Sequence, residues 1–227
     1  MTSLYAGTSG FAYPSWKGGF YPTKLAARRM LAYYAERLNG VELNGTFYQL
    51  PPVTTLAGWA GQVHQDFRFC CKASRGLTYS AAAFDKAGLA ATLGERLGAL
   101  GDRLGPTLVQ WPPGRQRDEQ LLERLLTAFA RPAAVEFRHE SWFCAPVYDC
   151  LRRHGAALCR TDAEEWPLAP MTETGQFAYV RLRRSYERPA LERWRRELRA
   201  LAAGGSVVHV YFKHDPEGPE RAGFMLE

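Results

Sequence analysis

Eight short strand-like runs recur along this chain of 227 residues, at 4–7, 41–44, 67–72, 107–111, 133–138, 156–161, 177–182 and 207–213. Nearly every gap between them carries helical spacing. Apolar residues fall at Leu31, Tyr34, Ala35 and Leu38 within 25–38, and at Leu56, Trp59, Ala60 and Val63 within 54–63. The pattern repeats through Leu93, Leu97, Leu100 and Leu104 in 89–104, and through Leu121, Leu122, Leu125 and Phe129 in 118–129; 145–154 and 189–203 complete the set. Only the segment after the sixth run is too irregular for a helix. Strands that alternate with helices predict βαβ units and a parallel sheet. Eight of them predict an α/β fold of the (β/α)8, TIM-like barrel type, irregular, as a single domain over 1–227, its last helix short or missing. An open doubly wound sheet is the alternative.

Parity within the strands then matters more than their number. Successive side chains point to opposite faces, and a strand covered by helices on both sides is expected to be apolar throughout. Here one face is polar in at least five runs: Glu42 and Asn44; Arg68, Cys70 and Lys72; Glu136 and Arg138; Tyr179 and Arg181; His209, Tyr211 and Lys213. Helices cover the other face, so the polar one is expected to point into the barrel. Five interior cations then stand against Glu42 and Glu136. Leaving a buried charge unpaired costs several kcal/mol, so the surplus must reach water or a ligand. Barrel enzymes bind substrate at the C-terminal mouth.

The expected site lies there. Glu42 and Glu136 are the candidate general acid/base groups, with Arg138, Arg181, Lys72 and Lys213 to hold a phosphorylated or carboxylated small molecule. Gly7 and Gly10 flank Thr8 and Ser9 in a tight turn whose N–H groups suit an anion. Further contacts are expected from Asn44, Gln110, His139, Asp162 and Tyr211, and from the loop aromatics Tyr13, Trp16, Tyr48 and Trp142. The rings also fit a nucleic-acid partner or repair-type phosphoesterase, stacking on a base; a non-catalytic ligand binder is the third reading. Against all three stands a purely structural one, in which Glu136, Arg138 and their neighbours form a barrel-filling ion network.

Composition trims the alternatives. There is no Walker motif and no Gly-x-Ser-x-Gly elbow. His64, His139, His154, His209 and His214 are dispersed, which is thin for zinc; a divalent metal on Glu42, Glu136 and Asp162 is the remaining cofactor option. Lys72 is a candidate Schiff-base lysine. The net charge of +6 leaves room for an anionic partner, although arginines on amphipathic helices supply most of it. The cysteines have no metal or redox spacing, and Cys70, Cys71 and Cys159 read as apolar fillers in a reducing cytoplasm. Met1 to Gly7 lacks a basic segment followed by an apolar run, so no secretory signal is expected, and no run has the length of a membrane span.

Several motifs, in order, carry a resemblance. Gly7-Thr-Ser-Gly10 with Tyr13, Trp16 and Phe20-Tyr-Pro22 is followed by Val41-Glu-Leu-Asn-Gly-Thr-Phe-Tyr48. Then come 67–72, Arg103-Leu-Gly-Pro-Thr-Leu-Val-Gln-Trp-Pro-Pro113 and Val135-Glu-Phe-Arg-His-Glu-Ser-Trp142. Together they resemble the YecE-like family, domain of unknown function 72, over nearly the whole chain. The resemblance implies a TIM-like barrel in a family without an established activity. The chain departs from the family pattern late. Arg181-Leu-Arg-Arg-Ser185 replaces the usual His-Gly after the strand-seven arginine, and Tyr211-Phe-Lys-His214 replaces an Asn, which makes this mouth more basic.

Overall fold

The structure is a computed structural model that describes residues 3–79 and 85–227, so the first two residues of the segment read for a leader lie outside it. Every strand-like run forms a strand, with ends moved by a residue or two. They are β1 (Leu4–Thr8), β2 (Gly40–Leu43), β3 (Arg68–Cys71), β4 (Thr107–Gln110), β5 (Ala133–Glu136), β6 (Ala157–Asp162), β7 (Phe177–Leu182) and β8 (Val207–Phe212). All observed pairings are parallel. A curled six-stranded sheet runs β1-β8-β7-β6-β5-β4, and β2 pairs with β3 in a second, two-stranded sheet. The edges of the two sheets meet. Ser9 bridges to Glu42, and Lys72 and Phe69 bridge to Leu108 and Leu104. Gly10 N–H donates to the Glu42 carbonyl at 2.8 Å, and Ala73 N–H to the Leu108 carbonyl at 2.8 Å.

The helices follow the apolar spacing. They are α1 (Met30–Ala35), α2 (Val53–Ala60), α3 (Arg75–Thr78), α4 (Lys86–Leu97), α5 (Glu119–Phe129), α6 (Ala145–Arg153), α7 (Arg188–Ala203) and α8 (Gly218–Leu226). In α5 the Asp118 side chain caps Leu121 N–H at 3.0 Å, and Leu121, Leu122, Leu125, Leu126 and Phe129 are buried. Three segments depart from expectation. The 25–38 segment is a 3-10 turn followed by only six α residues, the second half of 89–104 is 3-10 with Gly101 at φ +55°, and α3 is a single turn that apolar spacing cannot reveal. The final helix, expected to be short or missing, runs for nine residues and inserts Phe224 and Met225 into the core.

Two apolar layers result. The larger lies between strands and helices, and it includes Trp111, Phe137 and Trp142, with Phe137 and Trp142 stacked at 4.4 Å. The smaller is an inner cluster of Cys70, Leu108, Ala134, Cys159, Tyr179 and Tyr211, one residue from each strand from β3 to β8. Each sits two residues before a polar side chain: Lys72, Gln110, Glu136, Thr161, Arg181 and Lys213. Because strand side chains alternate, the polar tier stands on this apolar floor, on the inner face that parity assigned to it. Beneath Tyr211, His209 stacks on Tyr5, and burial pushes its pKa down to about 3, so it is neutral.

The seam between β1 and β2 leaves no room for a side chain at Gly7, where an added Cβ would lie 1.8 Å from the Gly40 carbonyl oxygen. Gly7→Ala is expected to cost about 3 kcal/mol or more, because backbone must move on both sides of the seam. Urea denaturation checks this; a cost under about 1 kcal/mol would show that the seam is loose.

Candidate functional site at the C-terminal ends of the strands

At the centre of the polar tier is Arg181, buried with 2% of its surface exposed. Its Nε and Nη2 donate to the two oxygens of Glu42, both at 2.9 Å, and its Nη1 donates to Glu136 Oε2. Both glutamates are fully buried. Glu42 also accepts from Ser9 Oγ at 2.7 Å, Tyr179 Oη at 3.0 Å and Arg183 Nη2 at 3.3 Å. Glu136 accepts from Gln110 Nε2 at 2.8 Å and Arg138 Nε at 2.7 Å, its pairing with Gln110 following from their register in β4 and β5. All four carboxylate oxygens are therefore engaged. Burial alone would push both acids up, yet Arg181 with Arg183 holds Glu42 at about 2, and Arg181 with Arg138 holds Glu136 at about 2. The same carboxylates raise the pKa of Arg181 against its burial.

Above this tier opens a cavity of about 440 Å³. Of the expected site residues it is lined by Tyr13, Asn44, Tyr48, Lys72, Arg138, Arg181 and Lys213. The cations there differ in what they have left to offer. Each Arg181 nitrogen already donates to a glutamate. Arg183 donates to Ser9 Oγ at 2.7 Å and to Glu42; burial and Arg181 lower its pKa to about 10. Arg138 gives only its Nε to Glu136, lies over the Trp166 ring at 4.6 Å, and its two terminal nitrogens bond to none of the described residues. Lys213 is exposed, and Lys72 rests its Nζ 4.2 Å from the centre of the Phe47 ring; neither pairs with a carboxylate among the described residues. Burial and then Arg181 push the Lys72 ammonium down to about 8. Asn44 Oδ1 is buried with no hydrogen-bond partner among the described residues.

Other expected residues lie elsewhere. Trp142 is in the outer core with its Nε1 on the Arg115 carbonyl, and Trp16 is buried against Tyr13, Phe20 and Tyr21. Tyr211 belongs to the floor, its hydroxyl 3.1 Å from Cys70 Sγ. His139 caps its own loop through Ser141. Thr8, Ser9 and Gln110 are buried braces: Thr8 Oγ1 donates to the Gly10 carbonyl, Ser9 holds Glu42, and Gln110 holds Glu136. Asp162 pairs with Arg184 at 2.7 Å and accepts from Tyr186 at 3.0 Å, so Glu42, Glu136 and Asp162 do not assemble a metal site. Arg68, counted among the interior cations, sits at the opposite end of β3 over Tyr5. Arg183, which sequence reasoning passed over, has the parity of Arg181 two residues on; that signal was available.

Among the described residues, one grouping of metal-type ligands occurs, Glu123, Cys150 and His154, between α5 and α6. There His154 and Arg153 already hold Glu123 at 2.7 Å each, and burial keeps the Cys150 thiol protonated, its pKa raised to about 12. It is a surface hydrogen-bond cluster. No described helix is long and apolar enough to cross a membrane.

Together these features define an α/β protein whose parallel strands end at a cationic cavity over a buried arginine–glutamate network. The chain belongs to the family described as Protein of unknown function DUF72, whose model matches residues 5–223. It is 27% identical to UPF0759 protein YunF of Bacillus subtilis over 158 residues, covering 64% of this chain and 54% of that protein. With UPF0759 protein YecE of Escherichia coli it shares 30% over 109 residues, 48% of this chain and 38% of that one. The chain thus spans about half, or less, of the length of these curated relatives. A DUF72 family protein (TM1631) of Thermotoga maritima has the same fold, with a TM-score of 0.86 at 26% identity, covering 98% of this chain and 97% of that chain. Another, EF0366 of Enterococcus faecalis, gives 0.77 at 18% over 99% and 96%.

Arg181→Met would strand two buried carboxylates and is expected to destabilise the fold by about 3–5 kcal/mol. Arg138→Met is expected to cost clearly less, since Glu136 keeps Arg181. The glutamates titrate lower in the folded state (about 2) than unfolded (4.5), so the stability they contribute is complete above pH 4.5 and is lost as pH falls toward 2. Denaturant unfolding between those pH values should therefore fall steeply for wild type and less steeply for Arg181→Met. Equal slopes would show that the network does not control acid stability.

Proposed function

We propose that the mouth is an enzyme-type site for a small phosphorylated or carboxylated compound, set in a full (β/α)8 barrel formed by the two sheets together. The bridges at both seams support the barrel. The observation that carries the functional reading is the unspent positive charge. Five lysine and arginine side chains line the cavity, against Glu165 at its rim and the two glutamates beneath, and the terminal nitrogens of Arg138 with Lys72 and Lys213 pair with no carboxylate among the described residues, which suits an anion. The free Asn44 Oδ1 suits a hydroxyl on the same ligand. In this reading Glu42 and Glu136 hold arginines, and Lys72 is the group that exchanges protons near neutral pH. A groove of about 710 Å³ beside it, lined by Phe11, Trp59 and Tyr48, gives room for an apolar portion.

Millimolar phosphate, phosphoglycerate or citrate is expected to raise the melting temperature. At ten times Kd the gain is about 1.4 kcal/mol, a rise of about 3–6 °C for a chain of this size. Arg138→Met should remove most of the response, at about 1.5–3 kcal/mol of ligand binding. Retention on single-stranded DNA or RNA that falls steeply with salt, without any response to small anions, would move the site to the nucleic-acid reading. No response to either would leave the network a purely structural one.

A further inference from the structure

We propose that Lys72 captures a small aldehyde or ketone carrying a carboxylate or phosphate, forming an imine through its Nζ. The inference rests on the anion-site reading above and adds to it the reactive group of the substrate. Three observations meet at this side chain. Lys72 directly follows β3 and lines the cavity, half-buried, with its amine on the face of Phe47. The carboxylates that would ordinarily hold such an ammonium, Glu42 and Glu136, are occupied by three arginines. The cations that would receive the ligand's anionic end, Arg138 and Lys213, line the same cavity.

These surroundings favour the neutral amine, which is the nucleophile. With the ammonium pushed down to about 8, roughly a tenth of Lys72 is unprotonated at pH 7. An ordinary lysine near 10.4 is unprotonated to only about 0.04%, more than a hundredfold less. Lys17, Lys24 and Lys213 are exposed.

The step balances without any co-reactant. The Nζ lone pair forms a bond to the carbonyl carbon while the C=O π pair moves to oxygen. A proton passes from nitrogen to that oxygen, giving the carbinolamine. Loss of the hydroxyl as water, with a second proton from nitrogen, leaves C=N. The net change is amine plus carbonyl to imine plus water. No oxidation or reduction occurs.

Sodium cyanoborohydride traps such an imine as a stable secondary amine, so intact mass and peptide mapping read the site. Pyruvate, glyoxylate and pyridoxal phosphate are the probes, and acetone is the uncharged control. At pH 7 the anionic carbonyls are expected to label Lys72 at least tenfold faster than any other lysine, with a rate that rises with pH to a midpoint near 8. Phosphate should compete, and Lys72→Arg should lose the label. If Lys72→Arg fails to fold, the map of the wild-type chain still decides. Label spread evenly over the lysines and the N-terminus, or Lys72 labelled no faster by pyruvate than by acetone, overturns the proposal. Thermal stabilisation by phosphate without any label on Lys72 overturns the imine and leaves the anion site standing. Absence of both effects overturns the two readings together.

Discussion

The ion pairs of Arg181 with Glu42 and Glu136 are the constraint on which the rest of this molecule depends. They cross the interior from β7 to β2 and to β5, and all three groups are almost fully removed from water. Two carboxylates around one guanidinium leave a buried excess of negative charge, which would be costly by itself. Arg183 and Arg138 offset it from above, and the neutral donors Ser9, Tyr179 and Gln110 satisfy the remaining lone pairs. An apolar floor of Cys70, Leu108, Ala134, Cys159, Tyr179 and Tyr211 closes the tier from below. Water can therefore approach from the mouth, and charge becomes more available toward it.

This gradient divides chemically identical groups into different roles. Arg181 and Arg183 face the same interior, yet the donors that carboxylates consume cannot serve a ligand. Arg138 stands nearer the mouth and keeps two terminal nitrogens. Lys72 is displaced further: burial lowers its pKa first and the positive field of Arg181 adds to this, while the glutamates that raise it are already partly neutralised. Burial and a fixed network thus perturb an amine together, the network without touching it.

Sequence and structure agree wherever local pattern decides. Alternation in 133–138 and 177–182 correctly put Glu136, Arg138 and Arg181 on the inner face, and apolar spacing located the longer helices. Parity, however, names a face and not a height. Height along the strands depends on register between them, and no single strand encodes that stagger. Arg68 and Lys72 share parity on β3 and end at opposite ends of it. Trp142 shows a second limit: its loop turns back onto the outer face of β5, where Trp111 and Phe137 bury it. Aromatic content in a loop is equally consistent with a rim and with a lid on the core. Arg183 was legible, since it repeats the parity of Arg181, but it lies past the apolar pattern that marked the end of β7.

Arg183 also bears on how far the family resemblance extends. In the stretch after Arg181, where the resemblance read from the sequence implies His-Gly, this chain carries Arg183 and Arg184. Arg184 pairs with Asp162, whereas Arg183 turns inward onto Ser9 and Glu42. With Arg138 and Arg181 alone, two guanidiniums would balance two carboxylates and the network would be neutral. With Arg183 it carries a net positive charge beneath a cavity that Lys72 and Lys213 already make cationic. Glu42 accommodates the extra arginine because its Oε1 accepts from Ser9, Arg181 and Arg183 together. Arg183 therefore leaves the network's geometry satisfied while adding one positive charge beneath the cavity.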